Sequence, residues 1–315
     1  MKPSTASFIS YDLRPAKQAE RRILLDFLKC ANEAGIPVSD CRYVGMGATK
    51  FYDFHLLHRF LGIDRMISLE RDPDLQDRAE FNCPYDFISV VRKTATEFLA
   101  SDLDRRRTIY WLDYEDGIGT EITGDIIALG TRVMPGGFAF VTVYGDPPGV
   151  LRSQNDLERL EFFQSVLGDF SEGLTGENMQ NANFAATVHH VVQTAFRNAF
   201  APRQDGEFKP LFNVQYQDSS PMVTVGGCFC TPEQTKKLKE RLDNDLSFLS
   251  GDQLYKIRNM ALTERERRLF DLAVTKRRSN SAQANKLRSI GFKKADFESY
   301  KNLIRFLPRY YESII

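Results

Sequence analysis

The chain is poor in the features that mark membrane proteins and metalloproteins. No apolar run approaches the ~20 residues that a membrane-spanning helix requires. The opening stretch MKPSTASFISYDLRP lacks the apolar core of a secretion signal, so a cytoplasmic location without membrane contact is expected. Histidine is scarce, with four in the chain, and no HExxH pattern occurs. The five cysteines are odd in number and scattered; only Cys228 and Cys230 stand close, in GGCFCTP, with the alternation of strand positions. A metal centre would need a second pair, or histidines at ligand spacing. Reduced, buried thiols and no metal are therefore expected. His55 and His58 share a helical stretch at three-residue spacing, but no third ligand accompanies them.

Net charge is zero as well, but unevenly spread. Residues 236–315 hold 19 Lys and Arg against 10 Asp and Glu, and the rest of the chain carries the compensating acid excess. Such asymmetry points either to a partner-binding module, for nucleic acid or an acidic protein, or to a basic tail docked on its own acidic body.

What the sequence does contain is a regular alternation. PAKQAERRILLDFLKCANEA, residues 15 to 34, carries Ile23, Leu24, Phe27, Leu28 and Ala31 on one helical stripe, with Pro15 at its start and Gly35 as its stop. Short apolar runs follow at CRYVGMG, RMISLERD (65–72), FISVV (87–91), TIYWLDYEDG (108–117) and, after a Pro-Gly-Gly turn, FAFVTVYG. Helical segments of about ten residues separate them, and that rhythm predicts a parallel sheet covered on both faces. Residues 150 to about 205 read as mostly helical. Residues 210–230 then change the period: two β-rich runs flank QDSSP as an antiparallel hairpin. From Thr231 onward the pattern is helical.

The sequence RYVGMGATKFYDF raises the functional question. Gly45 and Gly47 follow the first strand and precede a helix, and Glu70 ends the second strand 23 residues after Gly47. Glycines there let the backbone approach a ligand, and an acid at that spacing accepts hydrogen bonds from ribose hydroxyls. A dinucleotide site would want a third glycine near position 50, where the chain has Lys50.

In this order and spacing the chain resembles the class I S-adenosylmethionine-dependent methyltransferases. YVGMG resembles their first glycine motif, Glu70 their ribose-binding acid, Asp113 in YWLDY the residue beside the reacting methyl group, and VMPGGFAFVTV the turn into their fifth strand. The resemblance covers about residues 36–230. It implies an α/β, Rossmann-like, mostly parallel seven-stranded sheet with helices on both faces, a helical insertion at about 150–205, an N-terminal helical segment (1–35) and a basic helical C-terminal module (231–315). It also implies S-adenosylmethionine as cofactor, with Gly45 and Gly47 near its amino-acid part, Glu70 at its ribose, Thr94 and Ala95 beside its adenine, and methyl transfer to an oxygen or nitrogen nucleophile of an unspecified acceptor. Asp113 and Tyr114 are the candidate catalytic residues, Asp113 touching the cofactor as well. Tyr43 stands where the family usually has an acid and Thr49 where a third glycine is common; Arg14, Lys17 and Asp53 are the residues that could supply polar contacts instead. The competing reading is a non-catalytic ligand-sensing or scaffold protein that keeps the fold and binds a partner through its basic tail.

Three further groups are weaker candidates. Glu115 and Asp116 could join Asp113 on a divalent ion, but read more simply as a solvated turn. His189 or His190, in TVHHVVQTAF, could serve as a base. In the tail, Phe292, Phe297, Tyr300, Phe306, Tyr310 and Tyr311 among basic residues could stack on bases, but their spacing favours a small helical core.

Overall fold

A computed structural model describes residues 14–249, 251–275 and 282–308. Its elements in chain order are α1 (Pro15–Glu33), β1 (Arg42–Gly45), α2 (Tyr52–Leu61), β2 (Met66–Leu69), α3 (Pro73–Phe81), β3 (Ile88–Val91), α4 (Ala95–Ser101), β4 (Thr108–Gly117), α5 (Thr120–Arg132), β5 (Gly137–Tyr144), α6 (Asp156–Leu167), α7 (Phe184–Phe200), β6 (Glu207–Gln217), β7 (Pro221–Cys230), α8 (Pro232–Asp245), β8 (Tyr255–Lys256), α9 (Glu264–Thr275), α10 (Ala282–Ser289) and α11 (Lys294–Leu303).

The strands form one sheet in the order β3-β2-β1-β4-β5-β7-β6-β8. β1 to β5 are parallel, β7 runs antiparallel between β5 and β6, and β8 pairs in parallel with β6. Among the described residues the expected seven strands are therefore eight, and the stretch after Thr231 is not wholly helical. β8 is only two residues long, too short for any alternation to announce it. It is fixed by tertiary contacts, with the Ile257 amide donating to the Gln215 carbonyl at 2.8 Å and Tyr255 packed on Phe248.

Two cores sandwich the sheet, and the pleat sorts residues between them. Along β4, Ile109 and Trp111 enter one core, while Tyr110, Leu112 and Tyr114 enter the other; along β5, Phe138 and Phe140 oppose Ala139, Val141 and Val143. Burial on both faces is why these strands read as unbroken apolar runs. α1 and α2 cover the first face together with the C-terminal helices; Phe27 meets Phe140 and Phe212 edge-on at 5.8 and 5.7 Å. α4, α5 and α7 cover the other face.

The aromatic residues of the tail build a core of their own. Phe270 is fully buried, with the rings of Phe292, Phe297 and Tyr300 all within 5.0 Å of it, centroid to centroid. Phe306 is buried as well. Tyr310 and Tyr311 lie outside the described residues. Part of the tail's positive charge meets α1, through Arg305 with Asp26 and Arg241 with Glu33, an arrangement that favours docking on the body. No described helix is long and apolar enough to cross a membrane.

Candidate active site

The strand order reverses between β1 and β4, and open α/β sheets place ligands in the crevice beyond the strand ends at such a point. A cavity of about 310 Å³ lies there, bounded by the segment after β1, the ends of β2 and β4, the start of α4, the β6–β7 turn and the first turns of α1.

The glycine segment is a tight corner that also forms the cavity wall. The Gly47 amide donates to Ser68 Oγ at 3.0 Å, and a Cβ at Gly47 would come within 2.7 Å of that oxygen and 2.8 Å of the Phe51 ring. Ala48 and Phe51 both take left-handed backbone conformations, with φ of 45° and 49°. Non-glycine residues in that region cost about 1–3 kcal/mol each and tend to gather where a ligand is gripped. Gly45 differs: it is buried off the cavity wall, and the space its side chain would need is filled by the Tyr43 ring. Its glycine answers to the core.

Glu70 ends β2 at the cavity rim, half-buried, with Oε1 accepting from the Asp72 amide at 2.9 Å. Burial raises its carboxyl above the usual range, against that hydrogen bond. Thr94 and Ala95 line the wall where α4 begins; Thr94 caps the helix by accepting from the Glu97 amide at 3.1 Å.

Asp113 projects onto the α1 face of the sheet, as Trp111 does. Its carboxylate pairs with the Lys17 ammonium at 2.7 Å, and Lys17 is 2.8 Å from Glu20 as well. The ammonium also stands 4.8 Å from the Trp111 ring centroid and 5.0 Å from that of Tyr216. Burial alone would lower the Lys17 pKa; Asp113, then Glu20, overcome that and hold it well above the ordinary value. A hydrogen-bond chain runs behind this group, from Trp111 Nε1 to Thr142 at 3.0 Å, from Thr142 to Thr224 at 2.9 Å, and from Thr224 to Glu20. Beside it Arg21 pairs with Asp53 at 2.5 Å, and the Asp218 carboxylate accepts from the Ala16 and Lys17 amides at 2.9 and 3.0 Å, tying α1 to the β6–β7 turn.

Tyr114 cannot share that arrangement, because adjacent strand residues point to opposite faces. Its hydroxyl donates to Asp125 of α5 at 2.5 Å in the opposite core, and burial, reinforced by Asp125, pushes the phenol well up. Only part of it reaches the cavity. The pairing of β4 with β5 shifts register between Asp113 and Gly117, so the segment expected to be a turn is an irregular strand end. Such bulges re-aim side chains beside active sites. Asp116 there pairs with Arg71 at the cavity mouth.

The other candidates lie elsewhere. His55 contacts the Tyr85 hydroxyl and His58 the Ile63 carbonyl. His189 is buried against Asn213 of β6, and neither it nor His190 lines the cavity. Among the described residues, no three His, Cys, Asp or Glu side chains gather as a metal site requires.

The polar first turns of α1 went unread in the sequence beyond Arg14 and Lys17. The signal was present: Lys17, Glu20 and Arg21 precede Leu24, Phe27, Leu28 and Ala31 on the same stripe, and all seven are buried. Charges that continue an apolar stripe are carried into the protein with it.

A family model described as "Putative O-methyltransferase" matches residues 9–315. The chain belongs to this family. Its strand arrangement, with an antiparallel seventh strand between the fifth and sixth, is that of the class I S-adenosylmethionine-dependent methyltransferases. Comparison with curated proteins gives no match. Among solved structures, the chain is similar to the N-methyltransferase NodS of Bradyrhizobium japonicum WM9, in complex with S-adenosyl-L-homocysteine, at 12% identity over 70% of this chain and 90% of that one, with a TM-score of 0.40. It is also similar to the fibrillarin pre-rRNA processing protein of Methanococcus jannaschii, at 11% identity over 62% and 69%, with a TM-score of 0.38. A complex of a methyltransferase with the Haloferax volcanii Trm112 activator matches at 12% identity over 73% and 99%, with a TM-score of 0.39. Likenesses at this level carry no argument about ligand or substrate.

Proposed function

We propose that the cavity at the β1–β4 reversal binds S-adenosylmethionine and that this methyltransferase moves the methyl group to an oxygen or nitrogen of an acceptor beside Asp113. The observation that carries the reading is a pair of carboxylates on the two strands that flank β1, Glu70 just after β2 and Asp113 within β4, facing one cavity across the strained segment after β1. The wall suits the cofactor chemically. Its lining side chains comprise six basic and seven acidic groups, a near-balanced set for a zwitterion bearing one further positive charge.

The bound cofactor supplies a methyl group already activated on a sulfonium. What this chain contributes is position, and proximity with alignment accounts for much of the rate in such a displacement. Glu70 accepts hydrogen bonds from the ribose hydroxyls. Gly47 and the backbone after it receive the amino-acid part, and Thr94 and Ala95 flank the adenine. Asp113, anchored by Lys17, orients the nucleophile by accepting its hydrogen bond.

Isothermal titration of the protein with S-adenosylmethionine and its demethylated product is the test. Both are expected to bind, and Glu70→Ala should weaken each by about 1–3 kcal/mol, the cost of losing a buried hydrogen bond to a charged group. Failure of both compounds to bind overturns the proposal.

A further inference from the structure

We propose that Lys17, Glu20 and Asp113 act as one buried three-charge unit whose single net negative charge sets the preference of the cavity for the cationic methyl donor over its neutral demethylated product. The inference rests on the function proposed above and concerns two residues that motif reading does not assign, one of which, Glu20, does not line the cavity at all.

The argument is one of charge count and burial. Lys17 and Glu20 are 2% and 0% exposed, and one ammonium stands between two carboxylates at 2.8 and 2.7 Å. Three further charges stand near the unit: Arg21, which acts on Lys17, Asp218, which accepts from the Ala16 and Lys17 amides, and Arg14, which lines the same cavity. Arg21 of α1 is matched by Asp53 of α2. Tyr43 of β1 and Tyr216 of β6, which also face the unit, stay neutral because burial pushes both phenols well up. Thr224 of β7 donates to Glu20. Solvent screens such a group weakly, so its charge is felt at Asp113, its exposed end in the cavity. The donor and the product share adenine, ribose and amino-acid parts and differ in one methyl group and one positive charge. A wall bearing one negative charge distinguishes them by that charge, and loss of the methyl group loosens the product's hold. Glu20 and Lys17 are positioning residues here, acting through Asp113.

The ratio of donor to product affinity isolates this effect, because every contact common to the two compounds cancels, Glu70 included. Glu20→Gln keeps the side-chain shape and an oxygen for Thr224 but brings the unit to zero charge. It should lower the donor-to-product affinity ratio about tenfold, the scale of one nearby charge at intermediate screening. Lys17→Met/Glu20→Gln leaves Asp113 alone, returns the unit to one negative charge, and should restore the wild-type ratio to within about twofold. In the wild-type protein the same ratio should fall on acidification as Glu20 takes up a proton, at a pH above the usual carboxylate range because burial raises it.

Calorimetric titration of both compounds measures all three arms, and the wild-type arm needs no variant to fold. An unchanged ratio in Glu20→Gln, a double variant no better than the single one, or a wild-type ratio flat with pH overturns the proposal and leaves the cofactor site standing. Absence of binding by either compound to the wild-type protein overturns both.

Discussion

Lys17→Met is expected to lower the stability of the protein by about 3–5 kcal/mol, the cost of deleting one member of a buried ion group and leaving its partners without a counter-charge. The methionine fills most of the lysine volume and still packs on Trp111 and Tyr216, so the loss is electrostatic rather than a cavity effect. Asp113, at 27% exposure, can recover some hydration, whereas Glu20 at 0% cannot. Glu20 then holds a proton more tightly folded than unfolded, so the fold gains stability as pH falls below that raised pKa. The gap from wild type should therefore be widest near neutrality and shrink toward acid. Urea unfolding of both proteins at several pH values measures it. A variant as stable as wild type at neutral pH would mean that the three charges do not depend on one another.

Asp113→Ala is expected to reduce methyl transfer by about a hundredfold, the penalty for misplacing a nucleophile by about an ångström. Incubating the protein with methyl-labelled cofactor and a cell extract reports it. The cofactor must be saturating, because the substitution also removes the negative charge that favours the donor. Binding of the demethylated product should persist, since its contacts with Glu70 and the glycine segment are untouched. Transfer by wild type that survives the substitution would remove Asp113 from the reaction. Binding with no transfer by wild type would instead support the ligand-sensing alternative.

The α/β architecture was legible because its determinants are local. The βα alternation, the Pro-Gly-Gly turn and the hairpin around QDSSP depend on residues near one another in the chain, and the sheet runs through those segments. The two-residue strand β8 was not legible, since pairing with β6 is decided by a neighbour about forty residues away. Tyr114 shows the limit of reading a motif as a string. It sits next to Asp113 in YWLDY, yet the strand pleat turns its hydroxyl to α5.

By itself the sequence determined that glycines would stand where the first strand gives way to a helix, that Glu70 would come at the end of the second strand, and that Asp113 would lie on the fourth. Spacing and periodicity fix those outcomes. Only the tertiary structure decided what the charges do. Asp113 and Lys17 are far apart in the chain, and Asp218, which ties down the start of α1, lies in the β6–β7 turn, 201 residues from Lys17. Burial against Trp111 and Tyr216 removes solvent from Lys17, and three polar side chains that would be free in water become one unit with a single charge.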